Sequence, residues 1–229
     1  MATLIQCHRL THFLGNKTLF RSLDIVNNEG DKIGLVGHNG SGKSTLLDIL
    51  SQALEADEGE ISINRGLQLE VVEQFINPRL SDHTLAEALA DNLPEEGKDF
   101  NQYRVEQLLA ELGFSPDEYN YRISDLSGGQ QNRLMFARAV INNPNLILFD
   151  EPTNHLDLIT LLYFEKFLQQ LDAGFLLISH DRQFLDAVTD RTVFLRDERI
   201  YSFNLPYTTA KIHMDAQDEA ASAKRLATW

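Results

Sequence analysis

Short apolar runs of about five residues alternate along this chain with stretches whose apolar residues recur at helical spacing. That is the pattern of an α/β domain with a mainly parallel core sheet. Strands are predicted over residues 4–9, 23–26 and 32–36, and Leu46, Leu47, Leu50 and Leu54 then place a helix over residues 43–54. Residues 60–64 and 67–73 flank Arg65-Gly66, a turn dipeptide, and read as a β-hairpin.

Between residues 75 and 125 the strand signals stop. Helices are predicted at 84–92 and 103–112, punctuated by Pro78, Pro94 and Pro116. The expected organisation is a core of residues 1–74 and 126–205, with an antiparallel β subdomain, interrupted by a helical subdomain at 75–125. In the second half of the core, helices are predicted at 128–142 and 158–171, buried strands at 146–149 and 175–179, and a hairpin of 191–195 with 199–203. Residues 206–229 are polar and alanine-rich. They read as a helical tail with little to bury against, either a frayed end or the start of a linker to another domain.

Composition narrows the class. With 43% hydrophobic and 24% charged residues, the chain is no disordered polymer. No run approaches the roughly 20 apolar residues of a membrane-spanning helix. The first residues lack the charged and apolar regions of a secretory signal, so a cytoplasmic setting without direct membrane insertion is expected. Cys7 is the single cysteine, excluding an internal disulfide, and it sits in an apolar run as a core residue would. The formal net charge of −14 gives no overall attraction to nucleic-acid phosphates.

The chemistry begins at Gly37-His38-Asn39-Gly40-Ser41-Gly42-Lys43-Ser44, followed by Thr45. This is a G-x-x-x-x-G-K-[ST] loop between a predicted strand and a predicted helix. Glycines let the backbone wrap phosphate oxygens with successive N–H groups, and the helix N-terminus adds its positive dipole end. Lys43 is expected on the β- and γ-phosphates and the Ser44 hydroxyl on Mg²⁺. Leu146 to Phe149 then leads into Asp150-Glu151-Pro152, an apolar strand ending in two carboxylates. Beside a phosphate loop, Asp150 is expected to hold Mg²⁺ and Glu151 to serve as general base toward water. Ser127-Gly128-Gly129-Gln130 opens a helix. Ser127 has the simple reading of an N-cap, whereas two consecutive glycines expose first-turn N–H groups as a second phosphate surface.

That Ser-Gly-Gly-Gln element, lying between the phosphate loop and the acidic strand, resembles the signature motif of ATP-binding-cassette (ABC) proteins. The resemblance covers residues 2–205 and implies a P-loop NTPase nucleotide-binding domain that binds ATP and Mg²⁺ and hydrolyses ATP. It implies further roles in order along the chain: Gln74 as the Q-loop glutamine, touching Mg²⁺ and the attacking water; Asp157 in the D-loop; and His180 as the switch histidine at the γ-phosphate, against its simpler reading as a loop histidine. Phe13 resembles the aromatic that stacks on adenine, with Phe20 the neighbouring alternative and either one serving as core. The family closes two cassettes head to tail, so Ser127 of one would cap the γ-phosphate held by Lys43 of the other. The second cassette is expected in tandem or in another copy of the chain.

Glu151-Pro152-Thr153-Asn154-His155-Leu156-Asp157 and residues 179–186 (SHDRQFLD) resemble the ABC-F branch, which carries two cassettes in one chain and acts mostly on the ribosome. On that reading the chain is a first cassette running into its linker. The alternatives are the ATPase subunit of a membrane transporter, and a nucleotide-gated binding module without significant hydrolysis. Intact Lys43, Gln74, Glu151 and His180 argue against the last; the acidic net charge argues against the ribosome.

Overall fold

The computed structural model describes residues 2–72, 78–93, 98–154 and 156–226. Two sheets organise them. Strands β1 (Thr3–Leu14), β2 (Lys17–Asn28) and β4 (Glu58–Ile63) form a three-stranded antiparallel sheet in the order β2-β1-β4. Strands β3 (Lys32–Val36), β5 (Leu69–Val72), β6 (Leu146–Asp150), β7 (Gly174–Ile178), β8 (Arg191–Arg196) and β9 (Arg199–Phe203) form the core sheet, ordered β5-β6-β7-β3-β8-β9. It is parallel except for β9, which returns antiparallel on β8.

The central strands are apolar on both faces because helices cover both. Alternation of period two sorts their side chains. Leu146, Leu148, Leu176 and Ile178 pack toward α1 (Lys43–Leu50) and the antiparallel sheet. Ile147, Phe149, Phe175 and Leu177 pack on the other side with Phe136 of α4 (Gly128–Val140), Phe164 of α5 (Leu158–Gln170) and Phe184 of α6 (Arg182–Val188). Between β5 and α4, helices α2 (Leu85–Ala90) and α3 (Lys98–Glu111) bring Leu85, Leu89, Val105 and Leu109 into a third cluster. Helix α4 serves two clusters at once, giving Leu134 and Ala137 to this one, with Ile141 just past its end, and Phe136 and Ala139 to the core.

Several expectations need correction. Residues 60–64 and 67–73 are not a hairpin: β4 pairs with β1, while β5 pairs in parallel with β6, so Arg65-Gly66 carries the chain from one sheet to the other. Strands β1 and β2 extend well beyond 4–9 and 23–26, and α1 stops at Leu50 rather than residue 54. Helix α6 was invisible in the periodicity because seven residues are barely two turns. Asp181 starts it by accepting from the N–H groups of Gln183 and Phe184.

The tail also has more to bury against than its composition suggests. Helix α7 (Tyr207–Leu226) buries Tyr207, Ala210 and Met214 against the α6 face of the core. The Thr208 N–H donates to Asp186 of α6 at 2.7 Å, and the Arg196 guanidinium grips Asp218 through both its terminal nitrogens, at 2.6 and 2.7 Å.

Hydrogen bonds from Arg196 hold the Asp218 carboxyl below its ordinary value of 3.8. A depressed carboxylate stabilises the docked helix fully above that ordinary value and loses its effect as pH falls through the lowered one. Protection of the α7 amides from hydrogen exchange, taken relative to the intrinsic rate at each pH, should therefore be high at neutral pH and fall below about pH 4. Arg196→Ala should show the reduced protection already at pH 7; full protection in that variant would show that the apolar anchors suffice.

Candidate active site

Parallel register sets three strand ends in one row. Asp150 at the end of β6 pairs with Ile178 at the end of β7, and Ile178 pairs with Leu35, next to the last residue of β3. The chain therefore leaves all three strands at the same sheet edge, where ligands of parallel sheets collect.

After β3 the glycine loop turns back on itself. Gly40 and Gly42 adopt φ of 75° and 99°, conformations that a side chain resists. Gly37 is glycine for lack of room: a Cβ there would lie 2.6 Å from the Leu195 carbonyl oxygen and 2.6 Å from Ser41 Oγ. Lys43, the first residue of α1, is buried, and its ammonium donates to the carbonyls of Gly37 at 3.1 Å and His38 at 3.3 Å. The His38 ring is within 3.0 Å of the Asn39 carbonyl, and Ser44 is exposed beside half-buried Thr45. From the β1–β2 hairpin, Lys17 Nζ donates to the Gly40 carbonyl at 3.0 Å. No local signal in the sequence pointed to Lys17, because the contact spans 23 residues.

Across the row, Glu151 follows Asp150 with φ of 53°, a left-handed conformation that costs a non-glycine residue about 1–2 kcal/mol. Its N–H donates to the Ile178 carbonyl at 3.0 Å, which locks the turn onto β7. His180 Nε2 lies 2.9 Å from Glu151 Oε1, a close contact that joins the two loops. Thr153 and Ser179 add a hydroxyl–hydroxyl bond of 2.9 Å between them. Two carboxylate oxygens here, Asp150 Oδ1 and Glu151 Oε2, are buried without a hydrogen-bond partner. Each such atom costs roughly 1–3 kcal/mol, so the donor set fits a cation at Asp150 and a proton-bearing ligand at Glu151. Asp48 of α1 adds to this negative field: burial, and then the charge of Asp150, push its carboxyl above the usual range.

The second glycine motif lies in a different cluster. Ser127 is the N-cap of α4 in a reciprocal capping box: its Oγ accepts from the Gln130 N–H at 3.3 Å, and Gln130 Oε1 accepts from the Ser127 N–H at 2.9 Å. Gln130 Nε2 is further held by Glu118 at 2.7 Å. Gly128 faces open space, while a Cβ on Gly129 would lie 2.7 Å from Thr160 Oγ1. Asp157 caps α5 by accepting from the N–H of that same Thr160 at 2.7 Å. Ser127 to Gln130 and Asp157 are thus brought together through the close approach of α4 and α5. Among the described residues, no hydrogen bond or ion pair joins them to the phosphate loop.

Phe13 and Phe20 part ways. Phe20 is fully buried core, whereas Phe13 is 38% exposed on the same hairpin that carries Lys17. Cys7 is buried as expected, and burial pushes its thiol up to about 12. Gln74 lies outside the described residues, as do Phe75, His155 and Trp229.

A family model described as "ABC transporter" matches residues 20–154 of the chain. Among curated proteins, the "Probable ATP-binding protein YheS" of Escherichia coli (strain K12) is 32% identical over 226 residues, covering 86% of this chain and 35% of that protein. The "ATP-binding protein Uup" of Caulobacter vibrioides is 36% identical over 187 residues, covering 81% and 29%. The chain thus spans about a third of the length of these relatives. Among solved structures, a nucleotide-free ATP-binding cassette from an ABC transporter superposes with a TM-score of 0.77 at 22% identity, covering 93% of this chain and 95% of that one. A dimeric post-hydrolysis cassette bound to ADP and Pi superposes with 0.75 at 24%, covering 89% and 100%.

Gly37→Ala should lower stability by about 1–3 kcal/mol, since the methyl meets a backbone carbonyl that cannot swing away. Urea unfolding followed by far-UV circular dichroism measures this; an unchanged midpoint would mean that β8 yields at Leu195 without strain.

Proposed function

Because this chain belongs to the ABC transporter family, with its ATP-binding cassettes, we propose that it binds ATP and hydrolyses it to ADP and phosphate. The observation carrying this reading is the strained Glu151, with one oxygen on His180 and the other buried without a partner, on the same strand-end row as the phosphate loop.

The loop 37–42 cradles the phosphates with its N–H groups. Lys43 exchanges its bonds to the Gly37 and His38 carbonyls for phosphate oxygens. Asp150, Ser44 and Gln74 would hold a divalent cation, Gln74 on resemblance alone, and Mg²⁺ bound there would neutralise phosphate charge. Glu151 orients a water and takes its proton as the water oxygen bonds to the γ-phosphorus and the bond to the leaving ADP oxygen breaks. His180, anchored on Glu151, contacts the γ-phosphate and keeps the base in place. Phe13 offers its exposed ring to the nucleotide base.

The second cluster, Ser127 to Gln130 with Asp157, acts on a nucleotide held by another cassette, since in this chain its neighbours are Thr160 and Glu118 rather than the phosphate loop. Efficient turnover therefore needs a second cassette, either in a longer protein or as another copy. Residues 75–125 act as the helical subdomain between the two halves of the core, and residues 206–229 as the start of a linker.

The finer reading is an ABC-F protein that works on the ribosome in the cytoplasm rather than in a membrane complex. The runs at 151–157 and 179–186 support it.

Glu151→Gln keeps the shape of the side chain and removes the base. ATP binding should persist while phosphate release falls at least about 100-fold. Release at the parent rate would remove Glu151 from the mechanism. In the full-length protein the same variant should sediment with ribosomes in the presence of ATP; recovery in a membrane complex instead would favour the transporter reading.

A further inference from the structure

The exposed ring of Phe13 stands on a hairpin that two other residues hold in place. The β1–β2 ladder shifts register between His12 and Phe13: His12 pairs with Phe20, but Phe13 pairs with Thr18. Such a shift re-aims a side chain and takes its N–H out of the ladder. Here the Phe13 N–H goes instead to Asp57 Oδ2, at 2.8 Å. The same oxygen lies 2.8 Å from His12 Nδ1, in a close contact that lacks the alignment of a hydrogen bond. The His12 side chain is 11% exposed and its ring tilts against buried Phe20, with centroids 6.1 Å apart, so it cannot move far.

Asp57 is itself held firmly. Its N–H donates to the Thr11 carbonyl at 3.1 Å, just before β4 joins β1. Two residues on, Gly59 with φ of 100° lets β4 come so close that a Cβ there would lie 2.6 Å from the Arg9 carbonyl oxygen. Beyond Phe13, Lys17 pins the hairpin tip to the Gly40 carbonyl of the phosphate loop. Phe13 therefore stands between two fixed points, one on β4 and one on the phosphate loop.

We propose that Asp57, braced by His12, is a positioning residue for the nucleotide base: it fixes the bulge that presents Phe13, and so sets affinity for the base but not for the triphosphate. This rests on the reading of Phe13 as the base platform. A stacked base contributes about tenfold or more in affinity when its aromatic partner is aimed correctly. Removing the carboxylate frees the Phe13 N–H and the backbone around it. The ring remains, but it loses its fixed aim.

The test compares ATP with inorganic tripolyphosphate, which has no base, in the unmodified chain and four variants: Asp57→Ala, Asp57→Asn, Phe13→Ala and the double variant of Asp57→Ala with Phe13→Ala. Asp57→Ala should weaken ATP binding about tenfold and leave tripolyphosphate binding unchanged. Asp57→Asn, which keeps an oxygen for the Phe13 N–H, should recover most of the loss. Asp57→Ala combined with Phe13→Ala should be no weaker than Phe13→Ala alone, because the two act through one ring. Equal losses for both ligands would overturn the inference, as would full additivity. If Phe13→Ala weakens ATP but both Asp57 variants do not, the positioning role fails and the platform stands. If Phe13→Ala leaves ATP affinity intact, the platform reading itself fails, and the inference with it. Should Asp57→Ala not fold, Asp57→Leu, similar in size and without an acceptor for the Phe13 N–H, takes its place: a loss for ATP alone is expected, and an equal loss for tripolyphosphate would refute a base-specific role.

Discussion

The structure depends on one constraint: β6, β7 and β3 must pair in parallel with Asp150, Ile178 and Leu35 in register. A slip of one residue would turn Leu148 and Phe149 to the opposite faces and pull Glu151 away from the Ile178 carbonyl that bends it. The row gathers one candidate cluster: Asp150 ends β6 and Glu151 follows it, while the glycine loop and His180 come just past β3 and β7.

The site also illustrates how local cost is held in place by surrounding order. Glu151 is in a left-handed conformation, and it and Asp150 each bury an unpartnered oxygen next to the charge that Asp48 contributes. None of these features is favourable alone. They persist because the turn is held on both sides: the Glu151 N–H donates to the Ile178 carbonyl, and His180 lies against the Glu151 carboxylate. The strain is concentrated where a cation and a water would relieve it.

The second glycine motif follows a different logic. Its glycines are set by contact as much as by exposure, since Gly129 admits Thr160 and so joins the start of α4 to the start of α5. Ser127 is a helix cap by geometry, and next to it Gly128 faces open space.

What the amino-acid sequence determined by itself was whatever depends on neighbours along the chain. The apolar strands at 146–149 and 175–179, the glycine loop before α1, the capped start of α4 and the α/β class all come from spacing within a few residues. The tertiary structure decided everything that depends on partner choice. Arg65-Gly66 looks the same whether its flanking strands pair with each other or, as here, leave for different sheets. Phe13 and Phe20 are equivalent in sequence until the packing of β1 on β2 and β4 buries one and exposes the other. The polar tail gained its anchors from Arg196 and Asp186, on elements that only the fold brings alongside. Lys17 and Asp57 belong to no motif at all, because a hydrogen bond across 23 or 44 residues leaves no periodicity to read.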